Sequence, residues 1–215
     1  MKKILLSFII VITSAYCWGQ DTVRVACVGN SITYGHGIKN RLHDGYPAVL
    51  GRLLGDGYKV ENFGVSGRTL LSKGAHPYIK EKAYKDALAF KPNIVVVKLG
   101  TNDSKPFNWV YKNDFKADME ALIKSFQNLE TNPRIIVCLP IPGDNDGWKI
   151  NDSTITAAII PYTKQVAKKM KLEVIDLHTF FMPYKHLLPD GVHPNEDGAA
   201  LMASEVAKVI MKLQK

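Results

Sequence analysis

Five short apolar runs alternate with five helical patterns along this chain, and each of the first three runs ends at a glycine. The third run, Ile94-Val95-Val96-Val97, is apolar at every position. A strand that is hydrophobic on both faces belongs in the middle of a parallel sheet covered by helices. The others read as Val23–Val28, Tyr58–Phe63, Arg134–Leu139 and Glu173–Leu177. Between them lie stretches with apolar residues at helical spacing: Tyr46–Leu54, Glu81–Phe90, Phe115–Leu129, Ser153–Met170 and Asn195–Leu213. Right-handed crossovers turn this alternation into an α/β protein, a three-layer α/β/α sandwich around a five-stranded parallel sheet. The doubly wound strand order 2-1-3-4-5 follows, and it brings the ends of strands one, two and three together.

The sandwich accounts for residues 21–215 as one domain. Residues 1–20 read differently. Lys2 and Lys3 precede an apolar run from Ile4 to Tyr16, which is short against the ~20 residues of a membrane span. Small residues follow, so the expectation is a secretory signal peptide cleaved near Gly19 or Gln20. The mature protein is then periplasmic or extracellular, with no stable membrane insertion. A lipid anchor on Cys17 is the alternative, and Tyr16 immediately before it disfavours that route.

Loss of the two leader lysines takes the formal charge from +8 to +6. The remaining lysines are scattered without an aromatic-interleaved basic stripe, so no nucleic-acid partner is expected. Cys27 and Cys138 fall in strands that the order places one apart, ~9–10 Å, too far for a disulfide. Without a C-x-x-C or zinc spacing, no metal or cofactor is expected.

The strand ends hold the chemistry. The first break presents Ser31, the second Gly67 and the third Asn102. The loop after strand five carries Asp190 and His193, and it must return to the same edge. A hydroxyl, an imidazole, a carboxylate and convergent N–H groups are the parts of a serine esterase. His178 also follows strand five, but no Asp stands three residues before it, and it reads as structural. His36, His43, His76 and His186 read as solvated or substrate-side. Arg68, Asn108, Trp109 and Trp148 are rim candidates for which packing is the plainer role.

Gly29-Asn30-Ser31-Ile32-Thr33, Asn62-Phe63-Gly64-Val65-Ser66-Gly67, Gly100-Thr101-Asn102-Asp103 and Asp190-Gly191-Val192-His193-Pro194 occur in this order. In these four blocks the chain resembles the SGNH hydrolases, or GDSL esterases. The resemblance implies the flavodoxin-like SGNH hydrolase fold. It implies Ser31 as nucleophile, His193 as general base and then acid, and Asp190 as its orienter. The oxyanion hole it implies comes from the amides of Ser31 and Gly67 and the side chain of Asn102. Asn30 departs from the name-giving motif, which has Asp there.

The family spans many esters. Polar loops with Tyr34, Trp109 and Trp148, and small residues Ser66, Gly67, Thr101 and Ser104 near the motifs, favour an acetylated glycan or other small ester as substrate. The blocks look most like secreted bacterial carbohydrate esterases, including sialate O-acetylesterase-like proteins. A lysophospholipase, aryl-ester or thioester hydrolase is the alternative within the family. A glycan-binding pseudo-enzyme is the alternative outside catalysis.

Overall fold

The computed structural model describes residues 22–213. The expected leader, and Cys17 with it, lies outside the described residues. The chain forms the anticipated three layers. Strands β1 (Val23–Gly29), β2 (Tyr58–Gly64), β3 (Ile94–Lys98), β4 (Arg134–Cys138) and β5 (Glu173–Ile175) form one sheet in the order β2-β1-β3-β4-β5. All neighbouring pairs are parallel.

The principal helices are α1 (Ser31–Tyr34), α2 (Tyr46–Leu54), α3 (Lys82–Ala89), α4 (Phe115–Gln127), α5 (Ile160–Met170) and α6 (Glu196–Lys212). Helix α2 packs on α6, and α4 on α5, so the sheet is covered on both faces. Every residue of β3 is buried. Burying each of its Val and Ile side chains contributes about 1.5–3 kcal/mol.

Register is what assembles the strand ends. Gly29 pairs with Gly64 on one side and with Lys98 on the other. The three strands therefore stop at one level, and the segments that leave them emerge side by side. The approach is close: a Cβ on Gly64 would collide with the backbone of Thr33 and Tyr34, so only glycine lets β2 pass this near to α1.

Three local features differ from the sequence expectation. Strand β5 ends at Ile175 because Asp176 caps a short helix, Leu177–Phe181, through a hydrogen bond from the Thr179 amide. The polar stretch of residues 34–45 reads as a loop in the sequence but contains a helical turn, Arg41–Asp44. The helix expected from Ser153 passes through a π-helical turn, Ile155–Ile159, which ends two residues before Pro161. Proline has no N–H to donate and crowds the carbonyl four residues back, and the wider turn accommodates it.

Cys27 and Cys138 are free and buried, as the strand order requires, and burial pushes both thiols up to about 12. No helix among the described residues is long and apolar enough to cross a membrane.

Candidate active site

Ser31 is the first residue of α1, directly after β1. Asn30 caps that helix, its Oδ1 accepting the Ile32 amide at 3.1 Å. The departure from Asp at this position therefore keeps the acceptor that the turn uses.

Across the sheet edge, His193 Nε2 lies 2.7 Å from Ser31 Oγ. Its other ring nitrogen, Nδ1, lies 2.8 Å from Asp190 Oδ2. Asp190 Oδ1 accepts the backbone amides of Val192 at 2.9 Å and His193 at 2.7 Å. One tight turn thus holds the carboxylate and the imidazole together, as their three-residue spacing allows.

The electrostatics suit proton transfer. Burial raises the Asp190 carboxyl, but the His193 amide, the His193 ring and the Val192 amide outweigh it and hold the group below the usual carboxylate range. Burial lowers the His193 imidazole, Asp190 offsets part of that, and His36 and Lys98 push it further down. The ring is therefore mostly neutral near pH 7 and free to accept a proton.

The opposite wall is built from the segments after β2 and β3. Gly67 has φ +81°, a conformation other residues adopt only with strain. Asn102 is buried and donates one N–H to the Arg68 carbonyl at 3.1 Å. Its second N–H is uncommitted among the described residues. Ser31, Gly67, Asn102 and His193 line one cleft of about 200 Å³. Each expected site residue is at this edge, with Asp190 directly behind His193.

Several supporting residues were not legible beforehand. Asp103 accepts the Leu70 amide at 3.0 Å and the Leu71 amide at 2.8 Å, tying the turn after β3 to the segment after β2. Burial raises its carboxyl to about 6 against the pull of those amides. Asn108 accepts the Ala75 amide and donates to the Asn102 carbonyl, each at 2.8 Å. It is a bracket rather than a rim residue.

Trp148 and His36 both enter the cleft. The indole centroid is 4.8 Å from that of His193 at 71°, and the His36 ring is 4.5 Å from His193. The loop that carries Trp148 is docked by Asn145, which donates to the Asp190 carbonyl at 2.8 Å. It is docked again by Asp152, which accepts the Gly143 amide at 3.0 Å and pairs with His178 at 3.2 Å. His178 is structural, as its spacing suggested. Trp109 packs on Phe115 and Tyr162 instead. Arg68 pairs with Glu81 at 2.9 Å. Thr101 and Ser104 are buried beneath the wall, so Ile150 and Trp148 supply its apolar surface.

Among the described residues, no group of three or more His, Cys, Asp or Glu side chains is placed to hold a metal ion.

Comparison with known proteins extends these observations. The family model described as GDSL-like Lipase/Acylhydrolase matches residues 27–201. An acetylxylan esterase of Xylanibacter ruminicola is 48% identical over 209 residues, covering 89% of this chain and 44% of that protein. The chain thus spans less than half the length of this relative. Among solved structures, the aryl esterase of M. smegmatis superposes with a TM-score of 0.70 at 19% identity, covering 89% of this chain and 99% of that one. A carbohydrate acetylesterase of Sinorhizobium meliloti gives 0.69 at 17% identity, with coverage of 89% and 99%. A catalytic mutant of an acetylxylan esterase from Geobacillus stearothermophilus gives 0.67 at 22% identity, with 86% and 93%. At these identities the structures speak for the fold, which is that of the SGNH hydrolases.

Proposed function

Because the chain belongs to the GDSL-like lipase/acylhydrolase family, we propose that it is an exported serine esterase that removes O-acetyl groups from carbohydrates. The observation that carries this reading is the continuous hydrogen-bonded path Ser31–His193–Asp190, with links of 2.7 and 2.8 Å.

In this mechanism Ser31 Oγ adds to the acetyl carbonyl carbon while its proton passes to His193 Nε2. Asp190 holds the tautomer and stabilises the imidazolium that forms. The amides of Ser31 and Gly67 and the free N–H of Asn102 receive the developing oxyanion. The tetrahedral adduct then collapses. The bond from carbon to the sugar oxygen breaks, and that oxygen takes the proton from Nε2. Acetyl-Ser31 remains. Water repeats the sequence with His193 as its base, releasing acetate and restoring the serine.

The carbohydrate reading draws on the acetylxylan esterase relative and on Trp148 and His36 at the cleft, where planar side chains can stack on a sugar ring. Aryl-ester hydrolysis is the second reading, favoured by the same indole. Export rests on Lys2, Lys3 and the apolar run that follows them.

Acetate release from acetylated xylo-oligosaccharides, beside a p-nitrophenyl ester series, tests the assignment. A long acyl chain gains ~0.8 kcal/mol per CH₂ only where apolar wall can bury it. Ser66 and Gly67 offer little such wall, so acetyl esters should be cleaved faster than butyryl esters and octanoyl esters barely. A rate that climbs from acetyl to octanoyl would overturn the carbohydrate reading and favour a lipase-like enzyme.

A further inference from the structure

Lys105 lines the cleft together with Ser31, His193, Asn102, Trp148 and His36. None is acidic, and Lys105 is the one lining side chain with a full formal charge at neutral pH. The nearby carboxylate, Asp190, is turned to His193 and to two backbone amides.

Lys105 differs from the lysines that pair at the surface, and, unlike the unpartnered Lys98 at the end of β3, it lines the cleft. Lys59, Lys73, Lys82, Lys91, Lys164, Lys169 and Lys208 each pair with a carboxylate at the surface. Lys105 is half-buried, yet its ammonium has neither an ion pair nor a hydrogen bond among the described residues. Burial lowers its pKa, the mark of a charge that has lost water without gaining an anion. A cation held in that state in the cleft that Ser31 and His193 also line is poised for an anion that arrives with the substrate.

Position narrows which anion. Lys105 directly follows the turn Thr101–Ser104 that carries Asn102, and its amide donates to the Asn102 carbonyl at 3.4 Å. Its backbone is therefore fixed relative to the oxyanion wall. Lys105 shares this cleft with Trp148 and His36, the rings read above as the surface for the sugar, so an anion on the alcohol half of the ester is the one it can meet.

We infer that Lys105 recognises a carboxylate on the alcohol side, so that the preferred substrate is an acetyl ester on a glycan bearing a uronic acid close to the acetylated hydroxyl. This rests on the carbohydrate esterase reading and names the substrate class within it. The cation contributes through an ion pair partly shielded from water, stronger than a surface pair and weakened by salt.

The test uses two O-acetylated xylo-oligosaccharides of equal length, one with a glucuronic acid branch beside the acetylated residue and one without. The readout is the ratio of their kcat/KM values, so a general effect of a substitution cancels. The wild-type protein should favour the acidic substrate about tenfold. In Lys105→Met the ratio should fall close to one, and Lys105→Arg should restore most of it. Added salt should lower the ratio in the wild type and leave it unchanged in Lys105→Met. Equal rates on both substrates in the wild type, or a ratio that survives in Lys105→Met, would overturn the inference and leave the esterase reading standing. No acetate from either glycan, with p-nitrophenyl acetate still cleaved, would remove the glycan reading and this inference together.

Discussion

Asp103 Oδ1 accepts the Leu71 amide at 2.8 Å, joining the turn that carries Asn102 to the segment that carries Gly67. Two walls of the cleft are therefore one hydrogen-bonded unit. Asp103→Ala leaves the Leu70 and Leu71 amides without acceptors and should cost on the order of 1–3 kcal/mol. It should also lower kcat, because Gly67 loses its anchor. Denaturant titration beside steady-state kinetics checks both. Full kcat in a destabilised variant would show that the anchor serves folding alone.

Asn102 is the next expectation. Its bond to the Arg68 carbonyl fixes one N–H and leaves the other for a developing charge. Asn102→Ala should lower kcat by about 10²–10³ with little change in KM. An effect confined to KM would make Asn102 a substrate-binding residue.

The pH profile follows from His193. Its imidazole is lowered by burial, against a partial pull from Asp190. The base must be neutral to act, so activity is lost as pH falls through its pKa. The acid limb of kcat/KM for an acetyl ester should therefore lie below the ordinary imidazole value of about 6.5. A limb above it would mean that the carboxylate dominates over burial.

Lys98 gives a stability prediction. It ends β3 in full burial, and Nζ has no partner among the described residues. Burial lowers its pKa to about 7, against about 10.4 in an unfolded chain. The unfolded state therefore holds the proton more tightly, and this group's penalty is complete below about pH 7 and fades towards pH 10. Lys98→Met should stabilise the fold by on the order of 1–3 kcal/mol at about pH 6, with the gain shrinking towards pH 10. Urea titrations of both proteins at the two pH values measure it. A gain that grows with pH would mean the amine is held by a buried acceptor.

The sheet order and the meeting of the candidate residues at one edge were legible because each strand end is a local signal. An apolar strand with a glycine break can be read where it stands, and four such blocks in order locate one edge. The supports are not local. Asp103 reaches amides more than thirty residues away in the chain. Trp148 enters the cleft because Asn145 bonds Asp190, and no periodicity marks a loop that docks by scattered polar contacts. Lys98 follows a run of valines, and nothing in its neighbours along the chain distinguishes a buried lysine from one that surfaces at a strand end. The early end of β5 came from a single cap, Asp176, placed after residues that still favour a strand.

Everything in the proposed mechanism passes through Ser31 Oγ, so a covalent adduct there is the most direct measurement. Incubation with a fluorophosphonate, followed by intact mass and peptide mapping, should add one phosphonyl group, on Ser31. Ser31→Ala should remain folded, take up no label, and lose several orders of magnitude in kcat, since a triad acts as a unit. Label on another residue, or a Ser31→Ala protein that keeps most of its turnover, would contradict the assignment of Ser31 as nucleophile.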